Sequence, residues 1–190
     1  MTYKTDQTYQ KAHGGYRNLR SYQTTTIIYD LTVEFCRTYL TDRSNLSHRT
    51  IDQMIQAARS GRQNIAEGSE ASGVSKKTEI KLVGVARASL EELLIDYEDF
   101  LRQRNLPLWG KDSPGARTLR GLCYQSDTTY KTYQSYLRSS AEAANAAICL
   151  IHQANYLLDR QLESLKKAFV EEGGFTENLF KARLERRNSR

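Results

Sequence analysis

Proline placement sets the strongest limit on what this chain can fold into. Its two prolines, Pro107 and Pro114, stand close together in the sequence, and a proline inside a helix removes a hydrogen bond and clashes with the preceding turn. The long stretches on either side are therefore free of the strongest helix breaker. Strand-like alternation of apolar and polar residues does not extend over any useful length. The sequence predicts an all-α fold.

Four segments carry apolar residues at the three- and four-residue spacing of an amphipathic helix. The predicted helices cover residues 16–42, 47–67, 75–104 and 140–172. This pattern favours an antiparallel, up-and-down four-helix bundle over residues 16–172. Asn155 is the strongly polar residue on the apolar face of the fourth predicted helix. A buried asparagine at this position would cost stability while fixing the register of the packed helices. Gly61 lies inside the second helix and indicates that a neighbouring backbone passes close by.

Three segments lie outside the predicted long helices. They are a flexible N-terminus, an insertion before the fourth helix that we expect to be partly helical, and a basic C-terminal tail, covering residues 1–15, 105–139 and 173–190. A short helix is expected in the tail, with Thr176 as N-cap and with Phe175 and Phe180 forming a hydrophobic staple. Its apolar residues are expected to form one narrow stripe, made of Phe175, Leu179, Phe180 and Leu184.

Composition limits the class of protein. The chain has 190 residues, of which 39% are hydrophobic, enough for one domain with its own core. No apolar run approaches the roughly 18 residues that a membrane span needs, and the polar N-terminus lacks the apolar core of a signal peptide. An odd number of well-separated cysteines argues against a disulfide framework. We therefore expect a soluble, cytoplasmic protein without a membrane partner.

Metal-binding and catalytic patterns are weak. Cys149 and His152 are three residues apart and would face one way on a helix, but two ligands make a poor metal site. A core cysteine beside a half-buried histidine is the simpler interpretation. A cluster of acids on the third helix lacks the Glu-x-x-His pairs of di-iron bundles, which favours a solvated, ion-paired face; it comprises Glu91, Glu92, Asp96, Glu98 and Asp99. We expect no metal, no cofactor and no enzymatic activity.

The segment "RQNIAEGSE" (62–70) ends the second predicted helix unusually. Glu67 lies in the expected last turn, where the helix dipole favours a cation, and Gly68 is expected to stop the helix as a left-handed cap. Steps of about 100° per residue place a small, weakly charged face opposite the apolar one. This face is a candidate oligomer interface, made of Gln53, Ala57, Ser60, Asn64 and Glu67. The alternative is that Asn64 and Glu67 bond backbone groups of the following turn.

Residues 51–101 carry a family resemblance. The motif "NIAEG" (64–68), a serine-containing link and "ARASLEEL" (86–93) resemble the bacterial four-helix-bundle family of large-subunit ribosomal RNA intervening-sequence proteins. That family includes the accessory variability determinant of diversity-generating retroelements. The resemblance implies a ring-like homo-oligomer, pentameric in that branch, and a basic surface that meets nucleic acid and a reverse transcriptase. The segments after Arg104 depart from the family pattern.

Basic residues suggest where nucleic acid would bind. The formal charge is +6, and the candidate phosphate-binding residues are Arg49, Arg59, Arg62, Lys166, Lys167, Lys181, Arg183, Arg186 and Arg187. Tyrosines of the insertion, interleaved with bases, offer a stacking surface or else pack internally; they are Tyr124, Tyr130, Tyr133 and Tyr136. The predicted function is that of a non-enzymatic accessory protein that binds RNA or DNA, and the alternative is a protein-binding scaffold.

Overall fold

The computed structural model describes residues 15–40, 45–123, 125 and 128–188. Its α-helices are α1 (Arg20–Tyr39), α2 (Asn45–Ala71), α3 (Lys76–Gln103), α4 (Pro114–Cys123), α5 (Tyr130–Tyr133), α6 (Ser140–Glu172) and α7 (Phe175–Asn188). Two short 3-10 helices cover Gly15–Asn18 and Gln134–Arg138. The described residues form no strand, so the predicted all-α fold class is confirmed. Within the same ranges, no helix combines the length and apolar character required to cross a membrane.

Predicted and observed helix bounds agree best for α3 and α6, and differ elsewhere for local reasons. The first helix begins at Arg20 rather than at residue 16, because a 3-10 helix precedes it, and residues 41–42 of the prediction lie outside the described residues. The tail helix begins at Phe175, so the prediction of Thr176 as its N-cap is wrong. Gly174 precedes the first helical residue, and Glu177 in the first turn accepts a hydrogen bond from Gly174 N through its Oε2 at 3.2 Å, as the acid of a capping box does.

A ring cluster between α1 and α3 occupies the centre of the core. The Phe35 ring lies 4.9 Å from that of Tyr97 and 4.8 Å from that of Phe100, both edge-on. Tyr97 is fully buried, and its hydroxyl donates to Thr32 Oγ1 at 3.0 Å. Thr32 Oγ1 in turn donates to Ile28 O at 2.7 Å. Both buried hydroxyls thus have partners, which removes most of the cost of burying them.

Each of α1 and α3 packs against both α2 and α6. Polar contacts join α3 and α6 along the first half of α3: Lys76 meets Glu172, and Arg87 Nε donates to Asp159 Oδ1 at 2.6 Å. Beyond these contacts, the predicted buried asparagine is confirmed, since Asn155 is only 6% exposed. Its amide donates to Glu91 Oε2 at 3.1 Å, while Oδ1 has no hydrogen-bond partner among the described residues. The antiparallel four-helix bundle itself stays a prediction.

A buried asparagine fastens the insertion to α6. Asn145 is 1% exposed, and its Oδ1 accepts a hydrogen bond from Trp109 N at 2.6 Å. Its amide donates to Pro107 O at 2.9 Å and to Ala141 O at 2.8 Å. The asparagine therefore holds the main chain on both sides of Leu108 and completes backbone hydrogen bonds that no regular element supplies. The predicted partly helical insertion is confirmed by α4 and α5.

We expect Asn145→Ala to lower the free energy of unfolding by about 1–3 kcal/mol, because Trp109 N and Pro107 O would each lose their partner. The control is Asn155→Leu, which removes a buried oxygen that has no partner among the described residues and leaves Glu91 its contact with Arg87. That variant should be as stable as the parent or more stable. Urea unfolding of the two proteins measures the difference, and an equal loss in both would contradict the assigned role of Asn145.

Candidate functional site

The "NIAEG" segment lies inside α2 rather than at its end. Helix α2 continues to Ala71, and Gly173 is the positive-φ glycine among the described residues, so the predicted left-handed stop at Gly68 is wrong. Gly68 is buried because α3 passes close to it. A Cβ at this position would lie 3.4 Å from both Glu79 O and Leu82 Cβ. Glycine here permits close helix packing instead of a reversal of the chain.

The prediction that a neighbouring backbone passes close to Gly61 is confirmed. A Cβ there would lie 2.8 Å from Leu90 Cδ2 and 3.6 Å from the carbonyl oxygen of Ala86. Both atoms belong to α3, so the neighbour is a helix of the same chain. The two glycines are seven residues apart and face the same side of α2. Together they set how closely α2 and α3 approach.

The predicted oligomer face lies partly within this contact. Ala57 is only 8% exposed, and Ser60 Oγ lies 2.9 Å from Ser89 Oγ on α3. The Asn64 amide donates to Ser60 O at 2.9 Å and to Ser60 Oγ at 3.1 Å, so Asn64 bonds its own helix and not the following turn. Gln53 and Glu67 are exposed. Ala57, Ser60 and Asn64 thus form the flank that faces α3, while Gln53 and Glu67 remain accessible.

An open groove follows the α2–α3 contact on its outer side. Its volume is about 690 Å³, and Gln53, Asp52, Glu92 and Asp96 contribute to its lining. Burial raises the pKa of the Asp96 carboxyl, and the nearby Asp99 and Glu92 raise it further. The sequence predicted a weakly charged face because Glu92 and Asp96 come from α3, which the helical position of α2 residues alone does not reveal. Asp52 lies on α2 itself. We call this feature the acidic groove.

The bases of α2 differ in their surroundings. Arg49 and Arg59 are exposed, as a phosphate-binding role requires. Arg62 instead places its guanidinium carbon 4.3 Å from the centre of the Tyr29 ring on α1, which is a cation–π contact. Burial raises the pKa of the Asp30 carboxyl, and the charge of Arg62 opposes that effect. Arg62 therefore joins α1 to α2, and the structure does not place it with the other candidate bases.

The remaining candidate bases lie near the C-terminal end and are all exposed: Lys166, Lys167, Lys181, Arg183, Arg186 and Arg187. Lys167 Nζ lies 3.8 Å from Glu171 Oε1, a surface pair of small energetic value. Helix α7 contains four of these bases and no buried residue. Its connection to α6 includes a hydrogen bond from the Asn178 amide to Glu172 O at 3.0 Å. The helix thus presents its basic side chains to solvent.

The apolar residues of α7 do not form the expected single stripe. At about 100° per residue, Phe175 and Leu179 lie on one side of the helix and Phe180 and Leu184 on the other. Phe175 and Leu179 are each 49% exposed, and Phe180 is 62% exposed. The prediction of a narrow stripe is therefore wrong. The predicted staple is also wrong, because Phe175 and Phe180 face different ways.

The predicted tyrosine stacking surface is mostly internal. Tyr133 is 1% exposed, and its hydroxyl lies 3.8 Å from Cys123 Sγ, so it is not available to bases. Tyr130 and Tyr136 are half-buried, and Tyr124 lies outside the described residues. Packing is accordingly the observed role of Tyr133, which was the alternative prediction.

Reactive or metal-binding groups do not assemble within the described ranges. There, no cluster of three or more histidines, cysteines or acids is arranged to hold a metal ion. Burial raises the pKa of the Cys36 thiol to about 12, and the charge of Asp96 adds to this effect. Burial also raises the pKa of Cys149, whose thiol is therefore a weak nucleophile at neutral pH. The accessible features that remain are binding surfaces, chiefly the acidic groove and the bases of α7.

The close contact at Gly68 can be tested by substitution. We expect Gly68→Ala to leave the free energy of unfolding unchanged or raise it by up to about 1 kcal/mol, because alanine favours a helix more than glycine does. Gly68→Leu should lower it by about 1–3 kcal/mol, because the added atoms would overlap α3. Gly84→Ala is the control, since a Cβ there meets no atom within 4 Å in the part of the chain that the structure describes. A clear loss in Gly68→Ala, measured by urea unfolding, would favour the left-handed cap.

The sequence did not indicate that Ser89 and Asp52 belong to the α2–α3 contact and its groove, or that Asn145 bonds the insertion. For Ser89, a small side chain that could face Ser60 was the available signal.

Comparison of the chain with protein-family models, with curated proteins and with solved structures finds no match. The resemblance of residues 51–101 to the intervening-sequence protein family therefore stays a prediction.

Proposed function

We propose that this protein is a non-enzymatic four-helix bundle that self-associates and binds the phosphate backbone of RNA or DNA through α7. The observation that carries the proposal is the exposure of α7, a helix with four bases, two acids and no buried residue. Side chains that stabilise the fold of their own domain are normally buried. A projecting basic helix of this kind matches the electrostatic requirement for phosphate contacts.

The order of contacts along neighbouring helices supports the bundle. Ser60 meets Ser89, and Gly68, later in α2, meets Glu79, earlier in α3. The α3–α6 contacts follow the same rule, because Lys76 meets Glu172 whereas Arg87 meets Asp159. Opposite order in each pair is what antiparallel neighbours produce. An up-and-down connection of α1, α2, α3 and α6 explains both series.

The distribution of charge favours α7 over the α2–α3 face as the nucleic-acid surface. The acidic groove carries Asp52, Glu92 and Asp96, which would repel a phosphate backbone. Arg62 is engaged with Tyr29. The bases of α7 and the nearby Lys166 and Lys167 lie away from that groove in sequence and are exposed. The competing interpretation of α7 as a clasp on its own bundle has no buried contact to support it.

The scaffold alternative rests on the acidic groove. Its polar and acidic lining suits a protein partner that presents basic or amide side chains.

Under the first proposal, the resemblance favours self-association of five subunits. It also suggests that the protein acts together with a reverse transcriptase or with ribosomal RNA. Gln53 and Glu67, which are exposed, are then the members of the predicted interface that a second subunit can reach.

We expect replacement of Lys181, Arg183 and Arg187 by glutamine to reduce the salt dependence of nucleic-acid binding. Each lost phosphate contact removes about 0.7–0.9 from the slope of log affinity against log salt, so the triple variant should lose roughly two units. The thermal midpoint should stay unchanged, because α7 has no buried residue. Fluorescence anisotropy with labelled single-stranded RNA and duplex DNA, repeated over a salt series, measures the slope.

The matched control replaces Lys77, Lys81 and Arg138, which are exposed bases outside α7, by glutamine. It removes the same charge and should leave most of the slope intact. An equal change in both variants would indicate a general charge effect without a site at α7. A lowered melting temperature with an unchanged slope in the α7 variant would contradict the proposal and favour the structural clasp.

We expect Gln53→Arg combined with Glu67→Arg to weaken self-association while leaving helix content unchanged, because both side chains are exposed. Ala57→Arg is unsuitable for this purpose, since Ala57 is 8% exposed against α3 and an arginine there would disturb the subunit itself. Multi-angle light scattering at several protein concentrations measures the effect. A monomeric parent protein at micromolar concentration would contradict self-association.

A further inference from the structure

We propose that a cavity beneath the insertion binds a small aromatic carboxylate. The cavity has a volume of about 390 Å³, within the range of sites for small molecules. Leu108, Trp109, Ala116 and Ile148 contribute its apolar walls. They come from the insertion and from α6, and none of the described lining residues is shared with α7 or with the acidic groove. We call it the insertion cavity, and its occupancy does not depend on nucleic-acid binding.

The walls of the insertion cavity are fixed by contacts that need no ligand. Asn145 bonds the main chain of Pro107 and Trp109 on either side of Leu108. The Trp109 indole lies against Gly115, where a Cβ would come within 2.7 Å of Trp109 Cζ2. The Trp109 ring also meets the Tyr136 ring edge-on, with 6.2 Å between centroids. A wall held in this way reduces the entropy that a ligand must remove on binding.

The charges at the insertion cavity favour an anion. Lys111 and Arg120 both line it, and neither side chain makes an ion pair or a hydrogen bond with another part of the chain that the structure describes. Glu98 is the acid among the described lining residues. Positive charge is therefore in excess beside an apolar wall. Arginine and lysine in such a position form strong charge-assisted hydrogen bonds with a carboxylate.

The side chains of Cys149 and Leu108 are compatible with that ligand. Burial raises the pKa of Cys149, Cys123 raises it further, and Arg120 opposes both effects. The thiol is therefore neutral and offers a polarizable apolar surface that does not repel an anion. Leu108 is 56% exposed although its main chain is fixed on both sides. An aromatic ring lying between Leu108 and Trp109 would cover this apolar surface.

Trp109 is the single tryptophan of the chain and so reports directly on the insertion cavity. We would titrate the full-length protein with phenylpropionate and, separately, with phenylpropionamide, following tryptophan fluorescence and the heat of binding. The amide keeps the shape and removes the charge. We expect saturable binding of the carboxylate, at least about tenfold tighter than that of the amide. No saturable signal with phenylpropionate, or equal affinity for the two compounds, would overturn the proposal.

Two variants test the site itself. Lys111→Gln combined with Arg120→Gln should weaken phenylpropionate binding by about tenfold or more and leave amide binding unchanged. Cys149→Phe should fill the cavity and abolish binding of both compounds. The matched control, Arg117→Gln combined with Arg138→Gln, removes two exposed bases of the same segment that do not line the cavity. An equal loss in the control pair, or full binding in Cys149→Phe, would overturn the assignment.

Discussion

The close approach of α2 and α3 is the constraint on which the rest of the structure depends. Two glycines inside α2 permit it, and each costs about 1 kcal/mol of helix propensity relative to alanine. A side chain at Gly68 would meet the α3 backbone at Glu79, and one at Gly61 would displace Leu90. The short distance brings Ser60 to Ser89 and leaves the acidic groove along the outer edge. Another side of α3 makes the contacts with α6.

Periodicity predicted the long helices well because each buries one continuous face. It could not predict which flank of that face a neighbour covers. Ala57, Ser60 and Asn64 lie beside the apolar face of α2, and small polar residues there suit a subunit interface or an adjacent helix of the same chain equally well. The structure places α3 on that flank, which is why Gly68 packs and does not cap. Two acids of the groove, Glu92 and Asp96, were unpredictable for the same reason, since they come from α3.

The insertion shows a second limit of periodic reasoning. Residues 143–148 of α6, around Asn145, are all buried, including Ala143, Ala144, Ala146 and Ala147. A helix covered on every side has no polar face, so its amphipathic pattern disappears. The run of alanines in "AEAANAAI" (141–148) was the available signal that something else covers this turn. Helix α4 and the second 3-10 helix pack against α6, and Asn145 fixes the loop that contributes Leu108 and Trp109 to the insertion cavity.

Helix α7 has neither a buried face nor a single apolar stripe, so packing within the subunit contributes little to its formation. Isolated helices of this length are marginal in water. Arg183 and Arg187 are four residues apart on it, and like charges at this spacing repel each other and destabilise a helix. A bound phosphate group would neutralise that repulsion. Under the proposed function, backbone binding and helix formation at α7 therefore reinforce each other, because each phosphate contact lowers the cost of keeping the arginines side by side.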